Sequence, residues 1–236
     1  MAGHNLPSTI MSMFVPVHRD GWKFLAIGVV LALLFLMIWP PLGWLLVVIS
    51  AWIAYFFRDP DRVTPLREGL VIAPADGRIS AIERVVPPPE LGFGIGERQR
   101  ISIFLSVFDV HINRSPVAGR ISRSVYVPGA FLNAALDKAS ADNERRAIVI
   151  TTGAGEEIGC VQIAGLIARR IVTFKDEGDM VGVGERFGLI RFGSRADVYL
   201  PEGKTALVSV GQRAVAGETV LADLTSGEAE REARLG

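Results

Sequence analysis

The residues able to do chemistry gather in four short islands. They are Ala73-Pro74-Ala75-Asp76-Gly77; Phe108-Asp109-Val110-His111-Ile112-Asn113-Arg114-Ser115-Pro116; Asn143-Glu144-Arg145; and Gly184-Glu185-Arg186-Phe187-Gly188, which leads into Phe192-Gly193-Ser194-Arg195. Taken singly, each has an ordinary reading. Asp-Gly and Gly-Ser pairs are turn dipeptides, and one histidine on a strand is usually structural. His111 is the only histidine of the body, because His4 and His18 precede a long apolar block. A zinc site needs several such ligands, so no metal site is expected. The single cysteine, Cys160, sits in an apolar run where a buried thiol is expected. One imidazole can, however, move a proton near neutral pH. Asp109 stands two residues before it and shares its face if the segment is a strand.

In this order the islands resemble the phosphatidylserine decarboxylases, specifically the short bacterial form, from about residue 57 to residue 224. The apolar block before the body is also typical of that form. The family makes a proenzyme that cuts itself at Gly-Ser, inside a motif written here Phe192-Gly193-Ser194-Arg195. Longer members usually carry leucine, glycine, serine and threonine there. The resemblance implies a large chain ending at Gly193, a small chain of residues 194–236, and a covalent pyruvoyl group made from Ser194. It implies conversion of phosphatidylserine to phosphatidylethanolamine and carbon dioxide, a step of phospholipid biosynthesis.

The chemistry fits those residue types. Decarboxylating an α-amino acid leaves a carbanion that needs an electron sink, and no side chain offers a ketone. Serine is a suitable precursor of one. Its Oγ attacks the preceding carbonyl to give an ester, and elimination across Cα–Cβ releases the upstream chain. The dehydroalanine left behind hydrolyses to pyruvoyl and ammonia. Glycine before the serine has no Cβ to obstruct the attack.

Ser194 needs a base, and His111 is the only imidazole available downstream of the block. Asp76 matches the acidic residue that family members use with histidine for self-cleavage. The expected catalytic set is therefore Ser194, His111 and Asp76, with Asp109 more simply a turn or strand-end carboxylate. One departure stands out. Longer members have two histidines three residues apart, whereas this chain has His111 and then Arg114. Whether His111 serves cleavage, decarboxylation or both is open at this point. Arg145, Arg169, Arg170 and Arg195 are candidates for the lipid phosphate.

These islands must be positioned by a β-rich body. Valine- and isoleucine-rich runs punctuated by glycine and proline predict strands at 70–72, 78–82, 100–107, 119–127, 147–151, 157–163, 171–174, 186–192, 196–200 and 206–210. Only 131–139 has helical spacing. The expected fold is mainly β, a sandwich or barrel-sandwich with a minor helix. The proline-rich stretch from Pro87 reads as a loop whose Leu91, Phe93 and Ile95 either touch lipid or pack on their own domain.

Before the body, residues 22–57 form an apolar block broken by Pro40-Pro41. Two arms of about 16 residues, each about 24 Å as helix, predict a hydrophobic α-helical hairpin. All four tryptophans lie in or beside it, and Arg19, Lys23, Arg58 and Arg62 flank its outer ends. By the positive-inside rule both ends are cytoplasmic. The expected location is the bacterial inner membrane with the body on the cytoplasmic side. A signal peptide fits less well, because Trp-Pro-Pro and a second apolar arm follow the first. The expected division is a membrane-associating segment at 1–62 and a decarboxylase domain at 63–236.

Lysine plus arginine equals aspartate plus glutamate, 25 each. No basic stripe with interleaved aromatics points to nucleic acid. Expected partners are the phosphatidylserine substrate, the membrane and the two chains of one precursor, with a homo-oligomer left open. Two other readings differ in activity: a decarboxylase for another serine-headed lipid, and a non-catalytic tethered β-module. The glycine-punctuated stretch from Val210 to Val220 resembles a biotinyl or lipoyl carrier hairpin, but it lacks the lysine a carrier modifies.

Overall fold

The computed structural model describes residues 15–129, 143–165, 170–191, 194–229, 231 and 233–234. The helix expected at 131–139, and also Arg169, Phe192 and Gly193, lie outside them. The chain divides into two compact units, Met1–Asp61 and Arg62–Gly236.

The first unit is a helical hairpin, with α1 at Arg19–Ile38 and α2 at Pro40–Phe56. The His18 ring caps α1 by accepting from the Asp20 amide. That start lies earlier than the apolar pattern alone suggests, and it lengthens α1 to 20 residues, about 30 Å. Pro40 and Pro41 end α1 and open α2, where their missing amide hydrogens leave no partner unmet. The helices meet through small residues. A Cβ at Gly28 would lie 2.6 Å from Ser50 Oγ, and one at Gly43 would lie 2.5 Å from the Leu36 backbone. Close approach through small residues is how helices associate where burial of apolar surface offers no drive. By length and composition α1 could cross a membrane, while α2 is shorter.

The second unit is built of strands: β1 (Leu70–Ile72), β2 (Gly77–Val85), β3 (Arg98–Leu105), β4 (Ile112–Arg114), β5 (Gly119–Val127), β6 (Arg145–Thr151), β7 (Glu157–Ala164), β8 (Ile171–Thr173), β9 (Met180–Val181), β10 (Arg186–Ile190), β11 (Ser194–Tyr199), β12 (Arg213–Ala214) and β13 (Val220–Asp223). Among the described residues they form an eight-stranded sheet ordered β12-β2-β3-β11-β7-β6-β5-β9. A three-stranded sheet β4-β10-β8 and a pair β1-β13 complete the set. Alternation along each strand turns Ile79, Ile103, Ile121, Ile148, Ile150, Cys160, Ala196 and Val198 into one core. The fold is mainly β, as the sequence predicts.

The sheet order reads as a palindrome, and the register explains it. Gly77-Arg78-Ile79-Ser80 opens β2, and Gly119-Arg120-Ile121-Ser122 opens β5. Each strand carries a bulge just after its isoleucine. A Cβ at Gly77 would sit 2.2 Å from the Phe104 carbonyl oxygen, and one at Gly119 would sit 2.3 Å from that of Thr151. The Ile72 amide donates to Pro116 O at 2.8 Å, and the Arg114 amide donates to Pro74 O at 2.9 Å. The body is thus two similar halves related by a two-fold axis through the Val198–Cys160 pair.

Several expectations need correction. Residues 206–210 are not a strand; Ala206 makes one isolated bridge, to Ala222. Four short strands, β4, β9, β12 and β13, were not predicted: two to four residues display no period, and unlike the equally short β1 and β8 they lack a run rich in valine and isoleucine. Beyond Pro87 the chain makes a 3-10 turn at Pro89–Leu91. Leu91 is buried and Phe93 packs beside it on the outer face of the sheet. Only Ile95 of that trio projects into solvent, 91% exposed.

Candidate active site

Ser194 is the first residue of β11, an inner strand paired on both sides. Its register partners are Leu105 on β3 and Ala164 on β7. Its side chain is fully buried, and its Oγ has no hydrogen-bond partner among the described residues. A buried hydroxyl without a partner costs free energy, and such strain collects at functional sites.

The Asn143-Glu144 island braces the neighbouring strand. Asn143 Nδ2 donates to Ala164 O at 2.8 Å, and the Ala164 amide donates to Glu144 O at 2.9 Å. Glu144 Oε1 accepts from the Ile171 amide at 3.0 Å. Ala164, Ile171 and Ile190 form a small apolar cluster. The Ile190 amide in turn donates to His111 O at 3.2 Å. Through these bonds the sheet containing β4 and β10 caps the end of β11 that bears Ser194.

His111 is fully buried just before β4. Its Nδ1 lies 2.9 Å from Asp109 O. A carbonyl can only accept, so Nδ1 carries the proton and Nε2 is the basic nitrogen of the neutral ring. The Asp109 carboxylate does something else. Its Oδ2 accepts from the Ser106 amide and hydroxyl at 2.9 and 2.7 Å, and its Oδ1 from Arg213 at 2.6 Å. Asp109 is the turn carboxylate of the simpler reading, and it meets the imidazole through its peptide oxygen.

Asp76 is buried at the same end of the eight-stranded sheet. Its neighbour Gly77 closes on Phe104, and the next residue, Leu105, is the register partner of Ser194. Two strand spacings, about 10 Å, separate the Asp76 and Ser194 backbones. Asp76 Oδ2 accepts from Arg62 at 2.6 Å, and Oδ1 from the Ala216 amide at 2.8 Å. Arg114 is also buried and donates from Nη1 to Gly184 O at 3.0 Å. A Cβ at Gly217 would lie 2.9 Å from Arg114 Cδ, so that glycine makes room for the long side chain.

Two polar residues of this end were not expected as site residues, although Asn113 lies within the second island. Asn113 and Gln162 are fully buried and bonded to each other, Gln162 Nε2 to Asn113 Oδ1, at 2.8 Å. Gln162 stands in the apolar run of β7, where neither motif nor spacing marks it.

The candidate phosphate-binding arginines separate. Arg145 pairs with Glu90, and Arg195 pairs with Asp197 at 2.9 Å. Arg145 and Asp197 line a cavity of about 260 Å³ with Arg100, Tyr199 and Pro88. Asp197 is three residues along β11 from Ser194, so it faces the side of the sheet opposite the Ser194 hydroxyl.

A profile of the phosphatidylserine decarboxylase family matches residues 49–222. A phosphatidylserine decarboxylase proenzyme of Cereibacter sphaeroides (strain ATCC 17025 / ATH 2.4.3) is 57% identical over 223 residues. The match covers 94% of this chain and 96% of that protein.

Proposed function

This chain belongs to the phosphatidylserine decarboxylase family, and from that premise we propose that it is a proenzyme that cuts itself between Gly193 and Ser194. The mature protein then converts phosphatidylserine to phosphatidylethanolamine and carbon dioxide. The observation that carries this reading is the state of Ser194: a buried hydroxyl without a partner among the described residues, at the first position of a strand laddered on both sides.

His111 acts as the base, its Nε2 taking the hydroxyl proton as Oγ attacks the Gly193 carbonyl. Asp76, charged and held by Arg62 and the Ala216 amide, contributes negative potential at the same end. After cleavage residue 194 is a chain terminus. The register with Leu105 and Ala164 keeps it in place, so a pyruvoyl group formed there fits the site. That group supplies the electron sink for decarboxylation. The protein's part is to hold the strand, exclude water and manage protons.

The hairpin supports membrane attachment. At about 30 Å, α1 matches a hydrocarbon core. Basic residues at both outer ends of the apolar block favour a cytoplasmic body at a bacterial inner membrane.

The test is the mass and N-terminal group of purified protein. Two chains are expected, the smaller blocked by a carbonyl-containing group at residue 194. Ser194→Ala should leave one uncut chain. Complete cleavage of that variant would refute the assignment.

A further inference from the structure

The buried amides beside Ser194 form a relay of fixed polarity. It begins at Pro74 O, a carbonyl that can only accept. Asn113 Nδ2 lies 3.3 Å from it and must be the donor. Asn113 Oδ1 therefore points the other way and accepts from Gln162 Nε2 at 2.8 Å. That fixes the last member: Gln162 Oε1 is left as an acceptor, fully buried and without a partner among the described residues.

The position of this oxygen matters. Gln162 is the register partner of Ala196, and Ala164 is the register partner of Ser194. Directly opposed residues share a face, so Gln162 and Ser194 lie diagonally on the core face of adjacent strands. Diagonal neighbours are about 7–8 Å apart at the backbone, within reach of a long side chain. Among the described residues, a donor lacking an acceptor and an acceptor lacking a donor thus sit on one face of one strand pair, both buried. Gly188 keeps the space open. A Cβ there would lie 2.9 Å from Gln162 Nε2 and 2.9 Å from Val172 O.

We infer that Gln162 is a positioning residue for self-cleavage: in the resting precursor its Oε1 accepts from the Ser194 hydroxyl, directly or through one water, and holds Oγ in place and in one orientation, and the hydroxyl proton turns from Oε1 to His111 Nε2 as Oγ attacks. This rests on Ser194 being the nucleophile. The relay ties that orientation to the Ala73-Pro74 turn and to β4, the strand that follows His111, so that nucleophile and base are held by one network.

The experiment is a time course of small-chain appearance from freshly translated full-length precursor in membranes. Gln162→Leu keeps the size but removes donor and acceptor, and cleavage should slow by about tenfold or more, the effect of one hydrogen bond. Protease resistance of the uncut Gln162→Leu precursor should match that of Ser194→Ala. Gln162→Glu separates positioning from packing. A neutral carboxyl donates to Asn113 Oδ1 and keeps an acceptor oxygen, reproducing the relay, whereas the carboxylate cannot donate. The ratio of Gln162→Glu to wild-type rate should be near one at about pH 5.5 and should fall as the buried carboxyl ionises, above the ordinary carboxylate range. Cleavage of Gln162→Leu within twofold of wild type overturns the inference. So does equal slowing of Leu and Glu variants at about pH 5.5, or slowing matched by lost protease resistance. If wild type itself is not cut, it is the self-cleavage reading that fails, a separate result.

Discussion

His111 and Asp76 differ in how directly they can act on Ser194. The imidazole carries its basic nitrogen on the side away from Asp109 O, and a positioned base typically contributes about 10²–10⁴-fold. His111→Ala should slow cleavage by that order, read as uncut precursor on a gel after wild type is fully processed. Asp76→Asn keeps an acceptor for the Ala216 amide but removes the charge that faces Arg62. It should slow cleavage less, and the same time course compares the two. Should His111→Ala cut at the wild-type rate yet fail to decarboxylate, the imidazole belongs to the second step alone. Cys160 is the contrasting case. Burial pushes its thiol up to about 12, and no thiolate forms at neutral pH. A thiol reagent should label it only after denaturant is added; labelling of the native protein at the unfolded rate would contradict this burial.

The paired glycines that open β2 and β5 offer a matched test among the elements. Each lies against a backbone carbonyl, where a methyl group forces the strands apart. Gly77→Ala and Gly119→Ala should each cost about 1–3 kcal/mol, measured by denaturant unfolding of the uncut Ser194→Ala precursor. Only Gly77→Ala should also slow cleavage, because only Gly77 adjoins Asp76. In the helical hairpin, Gly28 stands against Ser50 in the same way. Most predicted strands were legible because five or more residues display alternation. The short strands β4, β9, β12 and β13 were not, since their pairing is imposed by distant partners such as Ile112 with Leu189.

Across the whole molecule, cleavage would leave a small chain whose three strands all pair with the large chain, β12 with β2, β13 with β1, and β11 most extensively. The six residues of β11 pair with β3 on one side and β7 on the other, both on the large chain. The two chains should therefore co-elute on gel filtration in detergent and separate only in denaturant; separation without denaturant would show that the ladder does not survive processing. Removing residues 1–61 should yield a body that still cuts itself and is recovered without membranes, because Asp76, His111, Gln162 and Ser194 all belong to the second unit. The two-fold relation between its halves also shows where function departs from symmetry. By the register offsets, Ala118 stands at the position equivalent to Asp76, Gly69 at that of His111, and Glu156 at that of Ser194. The catalytic candidates occupy one pole, and the other pole lacks all three.

The sequence by itself determined the family, the sole body imidazole and the apolar hairpin, and it singled out the Gly193-Ser194 pair at which we propose cleavage. Each is a matter of residue identity and local order, or of a hydrophobic run long enough to be counted. Tertiary structure alone decided the rest. It engaged the Asp109 carboxylate with Arg213 and the Asp76 carboxylate with Arg62 and Ala216. It also brought Gln162, an unremarked polar residue in an apolar strand, into the core beside Ser194. The Gln162–Asn113 and Ala216–Asp76 bonds join residues 49 and 140 positions apart, and no short window along the chain contains both ends of such a bond.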